Sequence, residues 1–416
     1  MEVGLLRKPR FLHAGLFLLC QGFWADCARA ESGALLVEDL VILPGKSGAL
    51  GCMPRTLSKQ AMRDVVLSAN EELGIDPDFG VVFSLDVPPC ADLFYTAVAN
   101  DIFGIGYQHH YANEIFDESP TSGLEGVAFL NDIHYWESFP EELERAFLHE
   151  LGHRWSGRVH VSGPVARALL GRDNEHWSYF LDTSSGRGVS PLEGNAWRQT
   201  GELYETTTHD RAPGFSDLDL YLMGALHSNE VAPFLIIEPD TGASQPIDCR
   251  GAIAHVASPP QHCEPASVGG SAREISILDV ISAEGERIPA AVSTQRRTIA
   301  FYFLAPEGAS FSQVQCEAWA RRVEQLRELF SQATDERLGL ENVARGEMSC
   351  AEVQALLSPS ASPSQRQSRS NGCALVRGGP SRQSSLASAW MCIACAFFLR
   401  VRRGRNSGRR DKKLPG

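Results

Sequence analysis

Two histidines four residues apart, with a glutamate beside the first, constrain this chain more than anything else in it. The stretch Phe147-Leu148-His149-Glu150-Leu151-Gly152-His153-Arg154-Trp155 contains His-Glu-x-x-His. On a helix, positions i and i+4 share a face, so His149 and His153 can aim ring nitrogens at one point. Two neutral imidazoles suit a borderline-soft divalent ion, and zinc is the usual occupant. Glu150 can reach a water held by such an ion and take its proton during attack on a carbonyl. The flanks predict a helix as well. Pro140 fits a first turn, Glu141, Glu142 and Glu144 favour a helix N-terminus, and Leu143, Ala146, Phe147 and Leu151 give an apolar stripe. The bland alternative is a surface helix with a chance pattern. Against it, a buried helix carrying two histidines and a glutamate needs a partner that justifies burying them.

A catalytic zinc takes three protein ligands and leaves one position open. Several residues downstream could supply the third. His160 lies seven residues past His153, but the glycine between them, Gly157, is one place too late for the metzincin pattern. His176 lies 23 residues past His153, about where thermolysin-like enzymes place a glutamate ligand. Glu193 and Asp219 are the carboxylate alternatives, and each has an ordinary reading as a turn residue or an outer partner. His176 is the expected third ligand.

Both ends of the chain differ from the body. Residues 1–30 have the form of a secretory signal, with Arg7, Lys8 and Arg10 ahead of an apolar run and Ala28-Arg29-Ala30 as a cleavage site. Residues 31–357 form the body. From 358 to 385 the chain is rich in Ser, Pro and Arg and contains Gly372-Cys373. An apolar run of 14 residues, Leu386 to Leu399, precedes a basic end in which eight Lys or Arg face a single Asp411. That run is short for a span of about 20 residues, yet the flexible stretch before it and the arginines after it follow the positive-inside arrangement. The alternative is a hydrophobic helix docked on the body. Net charge is −13 despite this basic tail, so the body is strongly acidic. An acidic surface disfavours nucleic acid and anionic membranes as partners, and the body has neither phosphate loops nor basic patches.

Six cysteines lie in the body: Cys52, Cys90, Cys249, Cys263, Cys316 and Cys350. In an exported chain they can make three bridges, and pairing sequence neighbours is the simplest arrangement. Cys52 has a second reading, as a thiolate masking the metal in a latent form. Elsewhere, Thr56–Leu73 reads as a helix. Gly80–Phe83, Leu93–Val98 and Gly126–Leu130 read as strands. Gly126–Leu130 is either the cleft-side edge strand, to which an extended peptide could add, or an interior strand. Glu274–Ile281 and Arg297–Leu304 are strand-like, and Ser312–Gln332 is an amphipathic helix with Trp319, Leu326 and Phe330 on its apolar side.

The tail resembles a myxosortase sorting signal, in which a Gly-Cys, a short span and an Arg cluster are recognised and cleaved near the cysteine. Cys373 matches that cysteine. The ordered set His149-Glu150-Leu151-Gly152-His153-Arg154-Trp155, His176-Trp177-Ser178, Glu193-Gly194-Asn195 and Leu218-Asp219-Leu220-Tyr221-Leu222-Met223-Gly224 resembles the myxosortase-dependent metalloproteases. That resemblance implies an α+β zincin-like fold, a mixed sheet packed on the His-Glu-x-x-His helix with a smaller C-terminal subdomain. It implies a zinc-dependent peptidase acting on protein or peptide substrates, exported, processed by a myxosortase-type enzyme and displayed at the cell surface. In this setting Tyr221 is placed to donate to an oxyanion and Met223 to form a turn beneath the metal, while core packing stays open for both. A catalytically inert zincin serving in surface binding or adhesion is the alternative function. Intact His149, Glu150 and His153 favour the enzyme. A structural surface protein with a fortuitous motif is the third reading.

Overall fold

The computed structural model describes residues 33–357 apart from 54, 87–92, 108–121, 164, 185–187 and 241–244. The secretory signal, the linker with Cys373 and the apolar run with its basic end fall outside the described residues. No helix among the described residues is long and apolar enough to cross a membrane.

The chain opens with a hairpin, β1 (Leu35–Val37) and β2 (Leu40–Pro44), followed by the long helix α1 (Arg55–Leu73). Next come β3 (Phe79–Ser84), β4 (Phe94–Ala97) and β5 (Gly126–Asp132). A short helix α2 (Ile133–Ser138) leads directly into α3 (Pro140–Gly152), the helix that carries the motif. The middle of the chain holds β6 (Trp177–Asp182), β7 (Glu193–Asn195), β8 (Trp197–Thr200), β9 (Leu203–Thr206) and α4 (Asp217–Met223). It continues through β10 (Phe234–Pro239), β11 (Ser267–Ile275) and α5 (Ile277–Glu284). The last third is β12 (Gln295–Ala305), α6 (Gln313–Ala333), β13 (Leu338–Asn342) and α7 (Cys350–Leu357).

Two mixed sheets result, in line with the α+β expectation. The first runs β1-β2-β12-β3-β5-β4, with β13 sharing the β2 edge of β12. Its central strands are parallel, and only β1 and β4 run against their neighbours. Parallel strands covered on both faces read as unbroken apolar runs, and Phe79–Ser84 is buried at every position. Alternate side chains divide between two cores. Val82, Val127, Phe129, Ala300 and Tyr302 face Met62, Val65 and Val66 of α1. Val81, Phe83, Ala128, Leu130, Phe301 and Phe303 join Phe147 and Leu151 of α3 and Trp319, Leu326 and Phe330 of α6. Trp319 packs 4.8 Å from the Phe83 ring and 5.6 Å from Phe303. The motif helix is therefore pressed onto the sheet by its apolar stripe, leaving its last turn for polar work.

The second sheet, β7-β6-β10-β11-β9-β8, has a small core of its own around Tyr179, Phe180, Trp197 and Ile237. It interrupts the first sheet in sequence, which corrects the expected smaller C-terminal subdomain. Residues 295–357 rejoin the first sheet, because the wholly buried run Ile299–Ala305 finds apolar neighbours only between β2 and β3. Two further expectations change. Gly126–Leu130 is interior, hydrogen-bonded to β3 on one side and β4 on the other, so Phe94–Ala97 holds the sheet's end. The stretch 277–281 is helical rather than extended. Ser276 and Asp279 close a capping box, with Ser276 N–H donating to Asp279 Oδ2 at 2.8 Å.

Cys249–Cys263 and Cys316–Cys350 are bridged, matching the sequence-neighbour pairing. The side chains of Cys52 and Cys90 lie outside those described.

Candidate metal centre

Phe139 caps α3 without a side-chain bond, and Pro140 and the acidic pair Glu141 and Glu142 occupy its first turn. Leu143, Phe147, Leu148 and Leu151 are buried in the core. What remains at the C-terminal end is His149 in the last turn and His153 at the C-cap, with φ −59° and ψ −16°. Their rings are 4.8 Å apart and nearly perpendicular. Two glycines let the rest of the site close on this end. A side chain on Gly152 would run into Leu192, so its absence allows the segment after Pro191 to lie against the helix. Gly157, at φ +88°, reverses the chain where a Cβ would strike the carbonyl of Glu175. That approach delivers His176, the residue just before β6.

Two of the three rings are held by backbone carbonyls. His149 Nδ1 lies 2.7 Å from the Pro191 carbonyl oxygen, and His176 Nδ1 lies 3.2 Å from that of Arg172. A carbonyl can only accept, so both Nδ1 atoms carry the hydrogen and both Nε2 atoms present a bare lone pair. Those lone pairs converge. His149 Nε2 is 3.3 Å from His176 Nε2 and 3.2 Å from His153 Nε2. The rings of His153 and His176 are 4.9 Å apart. His153 is 6% exposed, and its Nδ1 is buried with no hydrogen-bond partner among the described residues.

Electrostatics keep the rings neutral. Burial, followed by the charge of Arg172, pushes His149 down to about 4 against the bond to Pro191. Burial and then His149 and Arg172 push His176 down to about 2. Burial and the two neighbouring imidazoles hold His153 well below its ordinary value. Two lone pairs facing each other at hydrogen-bond distance repel unless a cation lies between them. His149, His153 and His176 can hold a metal ion, their ligand atoms all within 4.8 Å of one another. Glu150, one residue along from His149, is 4% exposed.

The remaining sequence candidates are committed elsewhere. Glu193 forms an ion pair with Arg172, Nε to Oε2 3.2 Å, while burial raises its pKa against that charge. Asp219 accepts from Ser216 N–H and hydroxyl through Oδ2 and from Trp177 Nε1 through Oδ1 at 2.9 Å. Both of its oxygens are thus engaged in capping α4 and fixing Trp177. His160 Nδ1 faces Glu284 at 2.9 Å. Tyr221 is 5% exposed, and its hydroxyl accepts from Arg287 N–H at 3.2 Å. Met223 is 1% exposed, its carbonyl accepting from Arg287 Nη2 at 3.1 Å. Of the four third-ligand candidates, only His176 joins the pair on α3.

Several residues that shape the centre carried no signal of their own in the sequence. Arg158 donates to the carbonyl of His153 and stacks 5.0 Å over the Tyr107 ring. Arg154, wholly buried, reaches Glu125 at 2.8 Å and Asn100 at 2.9 Å, tying the helix end to the first sheet. A buried arginine here is stabilised by its carboxylate. Gly157 was in view only as a misplaced metzincin glycine. Gly157→Ala is expected to cost about 2 kcal/mol or more, from a left-handed φ and the collision with Glu175, and to loosen His176. Thermal unfolding with and without added zinc measures both effects.

Comparison with known protein families, curated proteins and solved structures returns no match.

Proposed function

We propose that this chain is an exported, zinc-dependent peptidase that hydrolyses peptide bonds in protein or peptide substrates. The observation that carries the reading is the convergence of three Nε2 atoms, two of them with their hydrogen held on the other ring nitrogen by a backbone carbonyl. Zinc–nitrogen bonds of about 2.0–2.1 Å at tetrahedral angles put neighbouring ligand atoms about 3.3 Å apart. The separations here are 3.2 and 3.3 Å. Three neutral imidazoles leave the fourth position of a tetrahedral ion open for chemistry. When bound, zinc is a Lewis acid that acidifies water and polarises a carbonyl.

The chain's own residues have the remaining tasks. Carbonyls of Pro191 and Arg172 hold two rings in one tautomer and orientation. Glu150 accepts a proton from the attacking water as its oxygen bonds to the peptide carbon. It returns that proton to the nitrogen when the carbon–nitrogen bond breaks, so the carboxylate ends as it began.

Purified protein is expected to hold about one zinc per chain and to cleave peptides in a chelator-sensitive manner. Elemental analysis beside a protease assay tests it, and a purified protein that takes up no zinc, or whose cleavage survives a chelator, defeats the reading. Surface display rests on the sequence at the two ends. Cys373→Ala is expected to leave a longer form held in the inner membrane, and maturation of that variant to ordinary size would end the sorting proposal.

A further inference from the structure

Chemistry alone names no substrate, but the rim of the metal centre narrows the field. Arg145 stands one turn before His149 on α3, in the i, i+4 relation that also joins His149 to His153. It is exposed and makes no hydrogen bond or ion pair with any described residue. Glu144 beside it turns to Arg322, 3.7 Å away.

Two histidines reach the same neighbourhood from the second sheet. Residues 191–195 begin at the carbonyl that holds His149 and end at Asn195. Asn195 Oδ1 accepts from Thr208 Oγ1 at 2.9 Å and from Gln261 N–H at 2.7 Å. Each of those residues precedes a histidine, His209 and His262. One amide oxygen therefore gathers both histidine-bearing segments onto the segment 191–195, whose Pro191 carbonyl holds His149. His209 Nδ1 is buried with no hydrogen-bond partner among the described residues, while Nε2 faces Asp210 at 3.3 Å. Crowding by protein, then the positive charges of Arg145 and His209, hold His262 below its ordinary pKa. The fixed positive charge of this group is that of Arg145, on a chain of net charge −13. A cation one helical turn from the histidine cluster attracts anionic ligands.

We propose that Arg145, with His209 and His262, forms a carboxylate-binding subsite beside the metal centre, so that preferred substrates carry an acidic group near the scissile bond. The proposal rests on the peptidase reading. An unpaired guanidinium takes a carboxylate through two parallel N–H donors, and a neutral imidazole adds another. The carboxylate can be an Asp or Glu side chain or a free C-terminus.

Quenched fluorescent peptide pools, fixed in turn as Glu, Gln or Lys at each position and with free or amidated C-termini, separate the two sources. Zinc-loaded protein is expected to favour Glu over Gln at one position, or free over amidated ends, by roughly tenfold. Arg145→Ala should bring that ratio to about one, and Arg145→Glu should turn the preference toward Lys, with zinc content retained in both. Equal cleavage of all pools overturns the subsite, as does a preference that survives either substitution. If zinc-loaded protein cleaves no pool, the peptidase reading fails by itself. Titration with succinate, followed at the Arg145 Nε–H resonance, then decides the subsite. A saturating shift upholds it and an unmoved resonance overturns it.

Discussion

Glu150→Gln is expected to leave zinc content nearly unchanged while lowering peptide hydrolysis by several orders of magnitude. The glutamine keeps the size and much of the hydrogen bonding of the carboxylate but cannot take a proton. General-base catalysis contributes on the order of 10²–10⁴-fold, and the loss grows where one group both accepts and returns the proton. Ligand and base are separable here because successive residues of a helix point about 100° apart. His149 already directs Nε2 at the shared point with Nδ1 tied to Pro191. Residual zinc and residual rate, measured on the same preparation, read the two roles apart. Loss of zinc would make Glu150 structural, and full activity with full zinc would remove the proposed mechanism.

His176→Ala is expected to remove stoichiometric zinc, as is His153→Ala. Altering only an outer partner of a metal ligand commonly costs 10- to 100-fold in affinity, so deleting a ligand should cost more than about a hundredfold. His176 is the sharper test of the two. It lies outside the motif, and the whole second sheet stands behind it through Trp177, which donates to Asp219 at 2.9 Å. Elemental analysis after gel filtration measures retention. A His176→Ala protein that keeps a full zinc would reassign the third position, and Glu193, the nearest carboxylate in sequence to the Pro191 anchor, would be re-examined first.

How much of this could be read in the residues depends on the range over which the physics acts. Helix α3 was legible because its signals are local: Pro140, the acidic first turn and an apolar stripe all act within one element. Helix α6 was legible for the same reason. The stretch 277–281 misled because Ile277, Val280 and Ile281 suit a strand, while the deciding signal was Ser276 with Asp279 three residues on. The same spacing in Ser216 and Asp219 marks Asp219 as a capping residue and counts against it as a ligand. His176 could be proposed from its distance along the chain but not selected over its rivals. That choice depends on Gly157 admitting the Glu175 backbone and on the Arg172 carbonyl turning the ring, contacts that only the folded chain makes. The carbonyl of Pro191 is another such case, acting across 42 residues. The subdomain error has a longer reach still, since the partners of Ile299–Ala305 lie more than 200 residues earlier in β2 and β3.

Strand β12 makes the last third of the chain a condition for a histidine cluster carried by the first half. The hairpin strand β2 and strand β3 follow one another in sequence but never touch as neighbours in the sheet; β12 lies between them. A chain ending before Gln295 would still contain Glu150 and all three histidines. It would also leave two apolar parallel edges open, with α3 resting on a sheet missing its middle. Emerging from a ribosome or a translocation pore, the chain must therefore keep those edges apart until residue 305 arrives. The three-histidine cluster is in that sense a late event, complete only when nearly the whole body has been delivered to one compartment.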